Sequence, residues 1–344
     1  MCGCCSIVPR DVLLRLSQDR RLSDEVRDDL LRTAAMDAEV RKLREQNRKL
    51  TRVAQSTNAG LTAVLPGPTS VLVFNCSGTE TLPGNPVAKP GNSADATIST
   101  AYAETKELVN FYETVFGRSS IDDAGLSLVS SVHFGIEHNN AYWNGSQMIY
   151  GDGDGRIFSG FVNAPDVIGH ENTHGVIQYS LQLVYRNEPG GLNESLADVF
   201  GSMFRQWRKQ QSVVDADWLI GREIVGAEAK SRGLTCLRDM ANPGAAHCLA
   251  PQPKHYSDYV PGMDPHYSSG IPNHAFHRAA MAIGGFSWET VGQIWYKAMT
   301  GYGASPNLKM RAFADRTRKV AAELFPDTAG VATAVDDAWV QVGL

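Results

Sequence analysis

No apolar run in the 344 residues approaches the roughly 18 needed to cross a bilayer, so no membrane-spanning helix is expected. The start of the chain also lacks the apolar core of a signal peptide. Val12-Leu13-Leu14 is broken at once by Arg15 and then by Asp19, Arg20 and Arg21. Synthesis is therefore expected to end in the cytoplasm, with any export following a route that needs no signal peptide. Cysteine is scarce and uneven: Cys2, Cys4 and Cys5 crowd the N-terminus, leaving Cys76, Cys236 and Cys248 for the rest. Only Cys236 and Cys248 are near enough in sequence to suggest a bridge, and a reducing compartment argues against it. Basic charge is not in excess either. With 32 Lys+Arg against 37 Asp+Glu the net charge is -5, which argues against nucleic acid as a partner. No internal repeat is visible. At 43% hydrophobic and 20% charged, the chain reads as globular and long enough for two or three domains.

What is present is unevenly distributed. Residues 1–55 carry 12 Lys+Arg and 9 Asp+Glu, net +3, which leaves 20 and 28, net -8, for the remainder. Residues 22–50 contain no proline or glycine and set Val26, Leu30, Ala34, Val40, Leu43 and Leu50 at roughly helical spacing, which predicts one or two amphipathic helices. A basic piece is attracted to an acidic body, while composition alone equally describes a solvated helix or a short coiled coil. From Gln55 to Pro68 the chain turns small and polar, as at a boundary. A strand is expected at 71–74, loop at 75–100, and a helix at 101–116 closed by Gly117, followed by strand-like runs at 126–134 and 141–150. Gly151-Asp152-Gly153-Asp154-Gly155 is too short for an EF-hand loop and lacks its terminal glutamate, so it reads as a tight turn. Later segments at 192–211, 217–225, 273–283, 288–299, 308–324 and 332–342 have helical patterns. A strand-rich first half and a helix-rich second half predict an α+β fold of two lobes with a cleft between them.

The chemistry concentrates in His170-Glu171-Asn172-Thr173-His174. Two histidines at i and i+4 lie on one helix face a turn apart, so both imidazoles reach one tetrahedral ion with Glu171 beside it. With nine histidines the pattern arises by accident in roughly one such chain in a hundred, so a further ligand is needed to sharpen it. Glu194, on a second helical segment after Gly190-Gly191-Leu192-Asn193, can supply that ligand and leave a fourth position open for water. Asp198 and Asn193 are placed to accept from the histidines' other ring nitrogens.

With these residues in view, the chain from about Ala101 onward resembles the thermolysin family of neutral metallopeptidases, and most closely its protealysin branch. The matching words are Asn139-Asn140-Ala141-Tyr142-Trp143-Asn144-Gly145, the stretch 150–155, the metal helix, Gly191-Leu192-Asn193-Glu194, Leu237-Arg238-Asp239-Met240 and Ser269-Gly270-Ile271-Pro272-Asn273. The resemblance implies a two-lobed zincin, with a propeptide at 1–55, an N-terminal α/β lobe at 56–184 including the metal helix, and a mainly helical lobe at 185–344. It implies a zinc endopeptidase in which His170, His174 and Glu194 bind zinc and Glu171 is the general base. Tyr185 and His266 are implied to stabilise the oxyanion, and Asn140, Ala141 and Arg238 to position peptide or protein substrates. Phe158, Phe161, Val167, Ile220, Ile224 and Leu237 are implied to line the pocket for the residue after the scissile bond; all are apolar, so large hydrophobic residues are expected there. A catalytically silent relative used as a binding or scaffolding protein is the alternative, and retention of Glu171, Tyr185 and His266 favours the enzyme.

Two departures from the family pattern are visible. The aspartate that usually precedes the last histidine is missing at its usual spacing, and Asp264 or Asp258 is expected to replace it. At the positions that match the secreted members' double calcium site, Asp166 and Asp217 remain but Arg205, Leu219 and Arg222 stand elsewhere, so that site is expected to be absent. Cys5-Ser6-Ile7-Val8-Pro9 resembles the start of the branch's short propeptides, which implies latency through occlusion of the cleft by the chain's own N-terminus. Arg10 stands where a second proline is common. A thiolate from Cys2, Cys4 or Cys5 taking the open zinc position is a further expectation, and removal of the segment is expected near residues 51–58.

Overall fold

The computed structural model describes residues 6–58 and 69–344. Its strand-rich part is one five-stranded sheet. β1 (Val71–Asn75), β3 (Leu128–Val132) and β5 (Met148–Tyr150) run parallel, with β2 (Asn85–Pro86) and β4 (Ala141–Trp143) antiparallel on opposite edges, in the order β2-β1-β3-β5-β4. The run 141–150 is thus a hairpin and not a single strand. The Asn144 carboxamide accepts from the amides of Ser146 and Gln147, and Gly145 takes φ +93°, which reverses the chain between β4 and β5. α3 (Ala96–Phe116) starts on an Asp95 cap that accepts from the amides of Thr97 and Ile98 and stops at Gly117, whose φ is +65°. It buries Ile98, Ala101, Leu108, Phe111 and Tyr112.

Two helices fix the centre of the molecule. α4 (Pro165–Tyr179) begins with proline at its first turn, where no amide is lost, and is buried from Asp166 to Gln178. α5 (Asn187–Lys209) packs against it at very short range. A Cβ on Gly169 would stand 2.8 Å from the Cα of Gly201, and one on Gly201 would collide with the Asp166 carbonyl oxygen. Only glycine at both positions allows this approach, which brings side chains of α5 to the His170/His174 face of α4.

Residues 217–225 are not the expected helix. They form β6 (Leu219–Ile220), antiparallel to β7 (Arg238–Asp239), with the short α6 (Ala227–Ser231) lying between. Carboxylates take the amides a helix would use: Asp217 accepts from Leu219 N at 3.1 Å and Asp166 from Gly221 N at 2.9 Å. Gly221, at φ +67°, turns the chain away from β6. The loop after β7 leads to the four-residue α7 (Pro265–Ser268). α8 (Gly270–Ile283), α9 (Thr290–Thr300), α10 (Met310–Leu324) and α11 (Val331–Gln341) complete the helical lobe, where Trp295 stacks on Trp339 at 5.9 Å.

At the N-terminus, α1 (Arg10–Ser17) is followed by a single 35-residue helix, α2 (Asp24–Asn58). Its backbone stays helical through Asn58, past Gln55 where the composition turns small and polar, because no proline or glycine occurs between Pro9 and Gly60. α2 is not a solvated helix. Val26, Leu30, Ala34 and Val40 are buried, Thr33 Oγ1 accepts from Asn139 N at 3.1 Å, and Tyr142 OH donates to Asp37 at 2.7 Å. Its other apolar positions, Leu43 and Leu50, are 40% and 68% exposed. Cys76, Cys236 and Cys248 are free thiols. No helix among the described residues is long and apolar enough to cross a membrane.

Candidate active site

α4 presents His170 and His174 on one face, with Nε2 of the two rings 3.1 Å apart. Glu194 of α5 meets both: Oε2 lies 3.4 Å from His170 Nε2 and Oε1 3.5 Å from His174 Nε2. All three side chains are fully buried. Their outward ring nitrogens are tied down, His170 Nδ1 to Asp198 at 2.9 Å and His174 Nδ1 to Asn193 at 2.8 Å. Both Nε2 atoms are thus turned inward, where they could hold a metal ion. Among the described residues Glu194 Oε2 has no hydrogen-bond partner, and burying a carboxylate oxygen without one is costly. Two imidazole nitrogens and a carboxylate oxygen within 4.8 Å of one another suit one divalent cation of borderline softness, and the donor set fits zinc.

Glu171 sits beside this group without joining it. Its Oε2 accepts from the Trp143 amide of β4 at 2.8 Å, and among the described residues its Oε1 has no hydrogen-bond partner. Burial pushes its carboxyl up to about 8, although the charge on His170 pulls the other way. Tyr185 donates to Glu194 at 2.5 Å, and its hydroxyl lies 3.3 Å from His266 Nε2. Burial would depress the His266 imidazole, but the carboxylates of Glu194 and Asp264 overcome this and raise it to about 9. Of the two aspartates expected to serve His266, Asp264 does so. It caps α7, accepts from the His266 amide at 2.9 Å, and lies 2.7 Å from Nδ1, whereas the Asp258 carboxylate accepts from Ser257 Oγ at 3.4 Å.

The substrate-positioning candidates converge on the same cleft. Arg238, at the start of β7, is fully buried and donates to Asp198 at 2.8 and 2.7 Å. Asn273 donates to the same carboxylate at 2.9 Å, a support for which its place in the sequence gave no sign. Asn140 and Ala141 lie at the start of the edge strand β4. Phe158, Phe161, Val167, Ile220, Ile224 and Leu237 are all buried in one apolar cluster. Leu237 N donates to Ile220 O, Ser159 N donates to Ile224 O, and the Phe158 and Phe161 rings are 5.8 Å apart.

The cleft holds the chain's own N-terminus. Ser6 pairs antiparallel with Tyr142 on the edge of β4, and Ile7 N donates to Ala141 O at 3.3 Å. Val8 N donates to the Asn140 carboxamide oxygen and Asn140 Nδ2 to Val8 O, both at 3.0 Å. Arg238 donates to Ile7 O at 2.9 Å, and His266 Nε2 lies 2.8 Å from Ser6 O. Ile7 and Val8 are completely buried, and Pro9, still extended, is the N-cap of α1. The sequence singled out the stretch Cys5-Ser6-Ile7-Val8-Pro9 as a whole, and its three middle residues make these contacts. Cys5, with Cys2 and Cys4, lies outside the described residues. Another unforeseen contact crosses from α2, whose Arg44 guanidinium stands 5.7 Å above the Tyr185 ring.

At the positions matching the calcium site, the Arg205 guanidinium is buried among three carboxylates. It lies 3.4 Å from Asp166 and 3.2 Å from Glu223, and also pairs with Asp217; Arg222 reaches Asp217 at 2.9 Å.

Comparisons with known proteins agree with this geometry. The family model described as thermolysin metallopeptidase, catalytic domain, matches residues 28–178, and that described as thermolysin metallopeptidase, alpha-helical domain, matches 181–344. The chain is 38% identical to Protease PrtS of Photorhabdus sp. (strain Az29) over 79% of this chain and 76% of that protein. It is 41% identical to the extracellular metalloprotease of Pectobacterium carotovorum subsp. carotovorum over 76% and 78%. The solved precursor of protealysin, a metalloproteinase from Serratia proteamaculans, superposes with a TM-score of 0.82 at 34% identity, covering 98% of this chain and 99% of that one. The chain therefore belongs to the thermolysin family of zinc metallopeptidases, close to protealysin.

Proposed function

We propose that the chain is made as a latent precursor of a zinc endopeptidase that prefers large hydrophobic residues after the scissile bond, with residues 6–9 as its built-in occupant of the cleft. One observation carries this reading. The groups suited to grip a peptide substrate, namely Asn140, Ala141, Arg238 and His266, are all engaged by Ser6, Ile7 and Val8, laid along β4 by strand addition. The six proposed pocket residues are apolar and fully buried, which supports a hydrophobic preference there.

Zinc held by His170, His174 and Glu194 would polarise the scissile carbonyl and make water acidic enough to attack near neutral pH. The remaining steps belong to side chains. Glu171, anchored through Oε2 by the Trp143 amide, keeps Oε1 available to take the proton of the attacking water as general base. Tyr185 OH and His266 Nε2 then donate to the oxyanion, a contact that strengthens only as charge develops. Asp264 accepts from Nδ1 and favours the doubly protonated ring, which leaves Nε2 a proton to donate. Asp198 joins His170 to Arg238, so the metal face and the substrate grip share one rigid carboxylate.

The helical backbone through Asn58 favours cleavage of the segment at or beyond the end of α2 over the middle of it. The Arg205 guanidinium among Asp166, Asp217 and Glu223 supports the absence of a calcium pair, since a cation already neutralises the carboxylates calcium would need. The decisive experiment is hydrolysis of casein or a blocked hydrophobic dipeptide by the cleaved chain, with and without a zinc chelator. Glu171→Ala is expected to abolish hydrolysis while keeping the parent's zinc content, whereas His174→Ala loses activity together with zinc from this site. Near-normal turnover by Glu171→Ala would overturn the mechanism and return the silent binding protein as the better reading.

A further inference from the structure

A second group of metal-binding side chains lies outside the cleft. Cys236 and Cys248 are buried free thiols whose sulfurs stand 3.6 Å apart. A ring nitrogen of the half-buried His247 is within 4.8 Å of both. The backbone places them there, because Thr235 N donates to His247 O and Leu249 N to Cys236 O, both at 2.9 Å, so the loop 241–250 runs alongside the chain entering β7. Asp239 completes the surroundings, with Oδ2 3.2 Å from His247 Nε2.

The spacing separates a disulfide from two sulfurs that can share one ion. Two thiolates bound to one tetrahedral ion at about 2.3 Å each are separated by about 3.8 Å, close to what is found, whereas a disulfide needs about 2.05 Å. Thiolate and imidazole donors together select zinc over calcium or magnesium. Asp239 is within reach either to orient the His247 ring, as carboxylates do for metal-bound histidines, or to provide the fourth ligand.

We propose that Cys236, His247 and Cys248 hold a second, structural zinc ion that clamps the loop 241–250 to the strand carrying Leu237 and Arg238. Leu237 belongs to the proposed specificity pocket, and Arg238 holds both the Ile7 carbonyl and the Asp198 carboxylate behind His170. The clamp therefore stiffens the substrate-facing wall without touching substrate.

The test is metal analysis of the full-length chain purified without added metal, in a background where Cys2, Cys4 and Cys5 are serine so that only the internal cysteines report. Two zinc ions per chain are expected, falling to one in Cys236→Ser and in Cys248→Ser while the His170/His174 site stays filled. Cobalt exchanged into the protein should show a thiolate-to-cobalt charge-transfer band, because the cleft site contains no sulfur, and Cys236→Ser should abolish it. A single zinc per parent chain overturns the proposal, as does a cobalt protein without the sulfur band. Blocked thiols at 236 and 248 with an intact mass lower by two hydrogens would show a disulfide instead and equally refute it. The parent-chain measurements decide the matter even if the serine variants fail to fold.

Discussion

Replacing Ile7 in a full-length chain that cannot be cut offers the sharpest test of latency. Ile7 is completely buried, and its backbone hydrogen bonds to Ala141 and Arg238 do not depend on its side chain. Truncating a buried isoleucine to alanine costs roughly 2–5 kcal/mol, and the lower end applies here because a tethered segment can settle again on its backbone contacts. At about 1.4 kcal/mol per tenfold, a loss of about 2 kcal/mol raises the open fraction about 30-fold. Ile7→Val, at about 1 kcal/mol, should raise it about fivefold. Ile7→Asp, which would bury an unpaired carboxylate, should leave the cleft open. The assay is hydrolysis of a blocked hydrophobic dipeptide by chains in which residues 59–68 are replaced by a protease-resistant linker, with the intact N-terminus verified by mass spectrometry. Residual activity should climb in the order Ile, Val, Ala, Asp. Equal activity across the series, or full activity of the uncleavable parent, would refute occlusion by this segment.

Peptide mapping of the cleaved enzyme should place cuts before Leu, Phe, Ile or Val, each lost methylene costing roughly 1–3 kcal/mol of discrimination; cuts mainly before Lys or Asp would rule out the apolar pocket. A calcium-selective chelator should leave the melting temperature unchanged while zinc stays bound. Arg205→Ala should destabilise the protein by roughly 3–5 kcal/mol, since it strands the fully buried Asp166; a neutral Arg205→Ala, or a large drop with the chelator, would contradict the guanidinium's role. Where α2 meets the body, the Asp29 carboxyl is pushed up to about 6, first by burial and then by its hydrogen bond to Glu137, with Arg32 opposing. A docked pKa above the undocked value of about 3.9 means that docking binds a proton, so its contribution is complete below that value and fades as pH rises through about 6. The melting temperature of the uncleavable precursor should accordingly fall between pH 5 and 7.5, and Asp29→Asn should flatten that fall; an identical slope in the variant would count against the linkage.

The zinc face was legible because its information is local. His170 and His174 are four residues apart on a helix, and that period puts two rings on one side whatever packs around them. Glu194, Asp198 and Asn193 lie on one further helix, so a second local pattern supplied the rest. The hairpin in 141–150 had a local marker too, in Asn144-Gly145, and was hidden only by the apolar residues on either side. Residues 217–225 misled for a different reason. Their apolar spacing fits a helix, and what prevents one is the capture of Leu219 N and Gly221 N by carboxylates, of which Asp166 comes from the first turn of α4. Helical period reports which face can be buried, but not which distant acceptor will claim an amide.

The same distinction explains why the occupant of the cleft was only half seen. Charge suggested that a +3 segment would dock on a -8 body, yet it could not say where along that body the chain would lie. The answer depends on Asn140, Arg238 and His266, which lie 132, 231 and 260 residues from their partners in the segment. Ser6, Ile7 and Val8 satisfy them mainly through backbone atoms, which every residue except proline presents alike. Such a contact leaves little trace in side-chain pattern: Ile7 reports that its pocket is apolar, and Pro9 that the extended stretch gives way to α1. Because the grip falls on backbone, substitutions of Ser6 that keep an accessible carbonyl should disturb latency far less than those of Ile7. A Ser6→Ala chain as active as Ile7→Ala would show that the hydroxyl, through its 3.2 Å bond to Val8 O, and not the carbonyl facing His266, holds the segment in place.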